Sequence, residues 1–125
     1  MRGLTLVEIL MALVVFAIGA VGLLSLTLGI AHFGESSRNL TQAIADLQVV
    51  LAAMRDTSTT GLSAITSTDW GQWAFNNHLT NLPNESVTVT YVDPNADPLG
   101  VAIGVDWTER LRARSVTVDT LITQR

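Results

Sequence analysis

EILMALVVFAIGAVGLLSLTLGIAHFGE, residues 8–35, decides how this chain folds. Between its two glutamates there is no Asp, Glu, Lys or Arg, and His32 is the one ionisable side chain. The interval exceeds the roughly 20 apolar residues that carry a helix across a bilayer. Every acidic residue other than Glu8 lies from Glu35 onward, so the rest of the chain reads as a water-soluble module. A chain of 125 residues has room for one small domain and an anchor, and that is the organisation expected here.

On the N-terminal side of the stretch, the residues argue against a cleaved secretory signal. Such a signal has a basic start, about 7–15 apolar residues and then a small-residue cleavage site. Here Arg2 is the lone early base, the apolar run continues past Ile30, and an acid stands at its entrance. A plain single-pass anchor fits the length but gives no reason for Glu8. An acidic residue at the centre of a span costs about 2.5–3.5 kcal/mol on insertion scales, less near the edge. Gly19, Gly22, Ser25 and Gly29 weaken an isolated helix while allowing neighbouring helices to approach closely.

On the C-terminal side, Leu40, Ile44, Leu47, Leu51 and Met54 recur at helical spacing, which predicts one apolar stripe facing a core. Ala45, Val49 and Ala52 form a smoother strip on the opposite side. Thr57 to Thr60 and Gly61 are stop signals. A helix from Leu4 to Arg55 would be roughly 78 Å long at 1.5 Å per residue, too long to be buried in so small a domain. Trp70, Trp73 and Phe75 then fall in a short helix or loop pinned to a sheet edge. From Ser86 the period changes to two. Val87, Val89 and Tyr91 form one alternating set; Val101, Ile103, Val105 and Trp107 a second; Val116, Val118, Thr120 and Ile122 a third. The links DPNADPLG (93–100) and TERLRA (108–113) suit antiparallel turns. The expected fold is α+β: a long N-terminal helix, anchor first and amphipathic second, packed on a small antiparallel sheet of about three strands.

The opening GLTLVEILMALVVFAIGAVGLL, residues 3–24, resembles the N-terminus of type IV prepilins and pseudopilins. The resemblance implies a leader of residues 1–3, cut after Gly3 by a prepilin peptidase, with methylation of the new terminal amine on Leu4. Glu8 then matches the glutamate at the fifth mature position. Family members usually begin the mature chain with phenylalanine; Leu4 keeps the apolar character. Residues 4–34 would be the transmembrane and fibre-core helix, and residues 35–125 a periplasmic globular domain that includes the rest of the helix. In a fibre of staggered helices, the Leu4 amine of one subunit would meet the Glu8 carboxylate of its neighbour and set register. AIGAVGLLSLTLGI (17–30), LAAMR (51–55) and VAIGVDWTERLRARSVTVDTLI (101–122) are similar to the PilV group of minor pilins, with type II secretion minor pseudopilins of the GspI kind as the alternative. Residues 57–98 lie outside that similarity. The implied setting is the bacterial inner membrane, single-pass with the C-terminal domain outside the cytoplasm, then a pilus or pseudopilus. The implied partners are the peptidase, other major and minor pilins, and membrane lipid.

Other chemistry is poorly served. Seven arginines and no lysine face eleven acids, and a net charge of −4 is unsuited to general nucleic-acid binding. The absence of cysteine removes disulfides, thiolate metal sites and cysteine nucleophiles. Asp93 to Pro98 begins like a calcium loop, but Pro98 and Gly104 stand where that loop needs glycine and glutamate. His32 and His78 have no second ligand nearby in sequence. Arg110, Arg112 and Arg114 would share one side of an early-starting strand. A non-enzymatic chain without cofactor, metal or small-molecule substrate is expected.

Overall fold

The computed structural model describes residues 5–124. Three helices come first: α1 (Leu6–Thr57), α2 (Leu62–Ser67) and α3 (Trp70–Asn76). Three strands follow: β1 (Ser86–Tyr91), β2 (Leu99–Glu109) and β3 (Arg112–Ile122), forming one antiparallel sheet in the order β1-β2-β3. The fold is therefore α+β, as the alternating patterns predict. Contacts divide the chain after Ser37. The first unit is the apolar part of α1; the second, from Arg38, holds the core and the sheet.

Helix α1 runs unbroken because no proline precedes Pro83. Its end is built from hydroxyls. Thr57, Ser58, Thr59 and Thr60 donate to the carbonyls of Ala53, Arg55, Asp56 and Thr57 at 2.9, 2.6, 2.8 and 2.7 Å. These bonds satisfy last-turn carbonyls that have no helical partner. Gly61, at φ 127°, then turns the chain into α2 in a region that disfavours other residues.

The core joins α1 to the helix-facing side of the sheet. Ala43, Leu47, Val50 and Met54 meet Val87, Leu99, Val101, Ile103, Val105, Trp107 and Ile122, with Ile65 and Trp70 closing one end. Alternation in β2 is as expected: odd-numbered residues are buried from Leu99 to Glu109. The helical stripe differs from its expected position. Leu47 and Met54 face the sheet, but Leu40 and Ile44 are 42% and 39% exposed, and Ala43 and Val50 take the buried places between. The small Ala43 and the β-branched Val50 let the sheet come close, which a row of leucines would prevent. Leu51 lies at the margin of the core.

Ile65 is the hub of the helical corner. Its carbonyl accepts from Trp70 Nε1 at 2.9 Å, from the Tyr91 hydroxyl at 3.0 Å and from Thr68 N at 3.3 Å. Asp69 caps α3 by accepting from Gln72 N at 3.0 Å. The rings of Trp70 and Trp73 meet edge to face at 5.6 Å. The expected aromatic segment is thus a short helix against β1, in which Phe75 faces away from the core, 64% exposed.

The β2–β3 hairpin closes with a two-residue loop, because Glu109 pairs directly with Arg112. Arg110 and Leu111 both have positive φ, 49° and 65°. That geometry belongs to a turn that strongly prefers Asn-Gly, and non-glycine residues there are strained. Arg110 therefore sits in the turn, while Arg112 and Arg114 share the helix-facing side of β3. Arg114 Nε reaches Glu109 Oε2 at 3.4 Å.

A second polar feature lies inside the unit. Asp46, on the buried side of α1 and only 4% exposed, accepts from Gln42 Nε2 at 3.1 Å on both oxygens. Glu85 Oε2 accepts from Leu82 N at 2.7 Å, and Glu85 Oε1 is buried without a hydrogen-bond partner, as is Trp107 Nε1. The two carboxyls are close enough for the charge of Asp46 to act on Glu85. Burial pushes both above the ordinary carboxylate range; hydrogen bonds from Gln42 and Leu82 offset part of this, and the charge of Asp46 adds to it for Glu85. The folded state thus holds protons that the unfolded chain has already released. Its contribution is complete below the ordinary carboxylate range and is lost as pH rises through the raised values. The domain should melt at a higher temperature at pH 5 than at pH 8; Asp46→Asn should reduce that difference, and Asp46→Asn with Glu85→Gln should remove it. A thermal melt series checks this; an equal or higher melting temperature at pH 8 contradicts it.

Candidate functional site in the N-terminal helix

From Leu6 to Phe33 the large apolar side chains of α1 are all exposed among the described residues. Ile9, the most covered of them, is 47% exposed, and Phe33 is 78% exposed. Among the described residues, α1 is the one helix long and apolar enough to cross a membrane, and its most apolar stretch has no buried residue. Its few polar groups are satisfied within the helix. Ser25 Oγ donates to Val21 O at 3.0 Å and Thr27 Oγ1 to Leu24 O at 2.9 Å. Such back-bonding leaves no hydroxyl proton to be solvated in an apolar medium. Nothing lies within 4 Å of where a Cβ would stand on Gly19, Gly22, Gly29 or Gly34. No contact among the described residues therefore calls for glycine at these positions.

Glu8 has a local partner that its spacing also explains. Its Oε2 accepts from Thr5 N at 3.3 Å and from Thr5 Oγ1 at 3.4 Å, while Thr5 Oγ1 accepts from Glu8 N at 3.3 Å. Thr5-Leu6-Val7-Glu8 is a capping box: a hydroxyl residue at the helix entrance and a glutamate three places on satisfy each other's free backbone donors. The carboxylate also meets the positive end of the helix dipole. Thr5 is the residue missed by reading Glu8 for its distance from Gly3 alone; the T-x-x-E pattern was the available signal. Gly3 and Leu4, the expected cleavage and methylation positions, lie outside the described residues.

Elsewhere the candidates stay apart. His78 occupies the turn after α3 at φ 57°, its carbonyl accepting from Asn81 Nδ2 at 2.9 Å. Asp93 accepts from Asn95 N at 3.0 Å, closing a tight turn with its own backbone. Among the described residues, no three His, Asp or Glu side chains come together in a way that would hold a metal ion. No family model, no curated protein and no solved structure matches the chain.

Proposed function

We propose that the chain is a type IV pilin-like subunit, a minor pilin of the PilV kind. In this reading the first half of α1 holds it in the inner membrane before assembly and packs among other subunits' helices afterward. The observation that carries the reading is GLTLVE, residues 3–8, running into the first turn of an apolar helix whose large side chains from Leu6 to Phe33 are all exposed among the described residues. The glycines with open space around them support it, since close helix approach in a bundle is where glycine is useful on a membrane helix. Leu40, Ile44 and Val49, left 39–45% exposed on the second half of α1, offer further apolar surface to neighbouring subunits.

Glu8 has two roles in sequence on this reading. Before assembly it caps its own helix through Thr5. In the fibre it faces the methylated amine of a neighbouring Leu4, and each neutralises a charge that burial would otherwise penalise. The roles are compatible because a carboxylate accepts several hydrogen bonds at once.

The direct test is processing. Intact-mass measurement on chain extracted from host membranes should give a polypeptide beginning at Leu4 and carrying one added methyl group. Recovery of a functional chain that retains Met1 to Gly3 would overturn the proposal.

A further inference from the structure

We propose that the β2–β3 hairpin joins copies of this chain head to tail, with Leu111 of one copy seated in a hollow at the far end of the same sheet in the next. The tip is an apolar knob with a cationic collar. Leu111 is 99% exposed, the most exposed large apolar side chain in the described chain, and Arg110 and Arg112 flank it. The fold does not ask for leucine here: φ of 65° at Leu111 and 49° at Arg110 suits glycine and asparagine far better. A strained, wholly exposed apolar residue points to a use outside the fold.

The hollow lies where β2 begins and β3 ends. Gly100 and Ala102 form its floor, Val92 and Leu121 its walls, and Asp119 its acidic rim, around a volume of about 230 Å³. Val92 and Leu121 are themselves 88% and 68% exposed. They lean over Gly100 so closely that a Cβ there would stand 3.2 Å from Val92 Cγ2 and 3.8 Å from Leu121 Cδ2. Knob and hollow are matched in charge, arginines against Asp119, and each is apolar at its centre.

They cannot meet within one molecule. They occupy opposite ends of one hairpin whose strands have 11 residues each, roughly 30 Å apart at about 3.3 Å per residue. A contact between two different patches of identical chains is heterologous and propagates in one direction. The inference goes beyond the proposed function and does not depend on cleavage at Gly3.

The cysteine-free sequence makes the test clean. Two differently tagged full-length copies, one Ala113→Cys beside the tip and one Thr123→Cys beside the hollow, both exposed positions that leave Leu111 and Leu121 in place, are co-expressed and treated in intact cells with a thiol cross-linker. A product carrying both tags is expected, with none from either variant expressed alone. Arg110→Glu with Arg112→Glu should abolish the product, and Asp119→Arg in the receiving copy should restore it. Leu111→Gly should raise the melting temperature and abolish co-purification of the two tagged copies. The proposal fails if the mixed product is absent, if like pairs form as readily, or if the cysteine at position 113 cross-links to another protein instead. It fails equally if Leu111→Gly lowers the melting temperature, because leucine would then serve the fold.

Discussion

A chain beginning at Ser36 should fold and melt cooperatively, and one beginning at Thr57 should not fold at all. The longer chain keeps every residue of the unit that starts at Arg38, including Ala43, Leu47, Val50 and Met54. The shorter one keeps the sheet and discards what covers it. Val101, Ile103, Val105 and Trp107, each no more than 4% exposed in the native chain, would then face water. Roughly 69 residues would remain, a size at which one core is marginal without staples, and the sequence has no cysteine to supply one. Losing the helix also uncovers Glu85 and Trp107, but their buried polar atoms gain water, a small compensation beside the lost apolar burial. Single substitutions grade the same effect. Leu47→Ala or Met54→Ala, at 2% and 0% exposure, should each cost about 2–5 kcal/mol. Leu40→Ala, at a position 42% exposed, should cost far less. Circular dichroism melts of the two chains and three variants decide the matter. Equal melting temperatures for the Ser36 and Thr57 chains would show that α1 is no part of the core.

The contrast between Leu40 and Leu47 marks what the sequence does and does not encode plainly. Strands announce themselves, because side chains alternate strictly and β2 has one buried and one open face. The apolar anchor is legible from its lack of charge. A helix is less explicit. Around Leu47 the rows through Leu40–Ile44 and through Ala43–Val50 are both apolar, and hydrophobicity alone favours the larger residues. Which row faces the sheet is settled by how near the sheet must come, a tertiary fact. Asp46 was illegible for a related reason. An aspartate on an amphipathic helix reads as solvent-facing, yet Asp46 is 4% exposed, with Gln42 one turn away as its hydrogen-bond donor and the charge of Asp46 felt by Glu85 from a distant loop. The hairpin link at residues 108–113 was recognisable as a turn, but Arg110-Leu111 has none of the residues that predict a two-residue loop. The cap at Thr5 was fully readable and was obscured by a second pattern sharing Glu8.

That shared residue yields the sharpest expected result: Glu8→Gln should leave the helix intact and still remove the subunit from its assembly. Glutamine serves at the third helical position of a capping box almost as glutamate does. If Glu8 only caps, Glu8→Gln is silent and Glu8→Val is the damaging change, at the cost of a lost cap, about 0.5–2 kcal/mol. If Glu8 only decorates a membrane span, both changes are neutral or ease insertion, since each removes a charge from hydrocarbon. Pairing with a neighbour's amine predicts a third pattern. Both variants are made, inserted and cut after Gly3, and both lose their partners, because a cation at the neighbour's terminus is left buried without a counter-charge. Removing one member of a buried pair typically costs about 3–5 kcal/mol, enough to reduce association by more than a hundredfold. Fibre yield is the wrong readout, since a subunit at a tip has fewer neighbours than one in the shaft. Co-purification of other pilin subunits with tagged wild type, Glu8→Gln and Glu8→Val separates the three patterns. Unchanged recovery of partners by Glu8→Gln would rule out pairing, and the Glu8→Val result would then say whether Glu8 is a helix cap or an incidental charge.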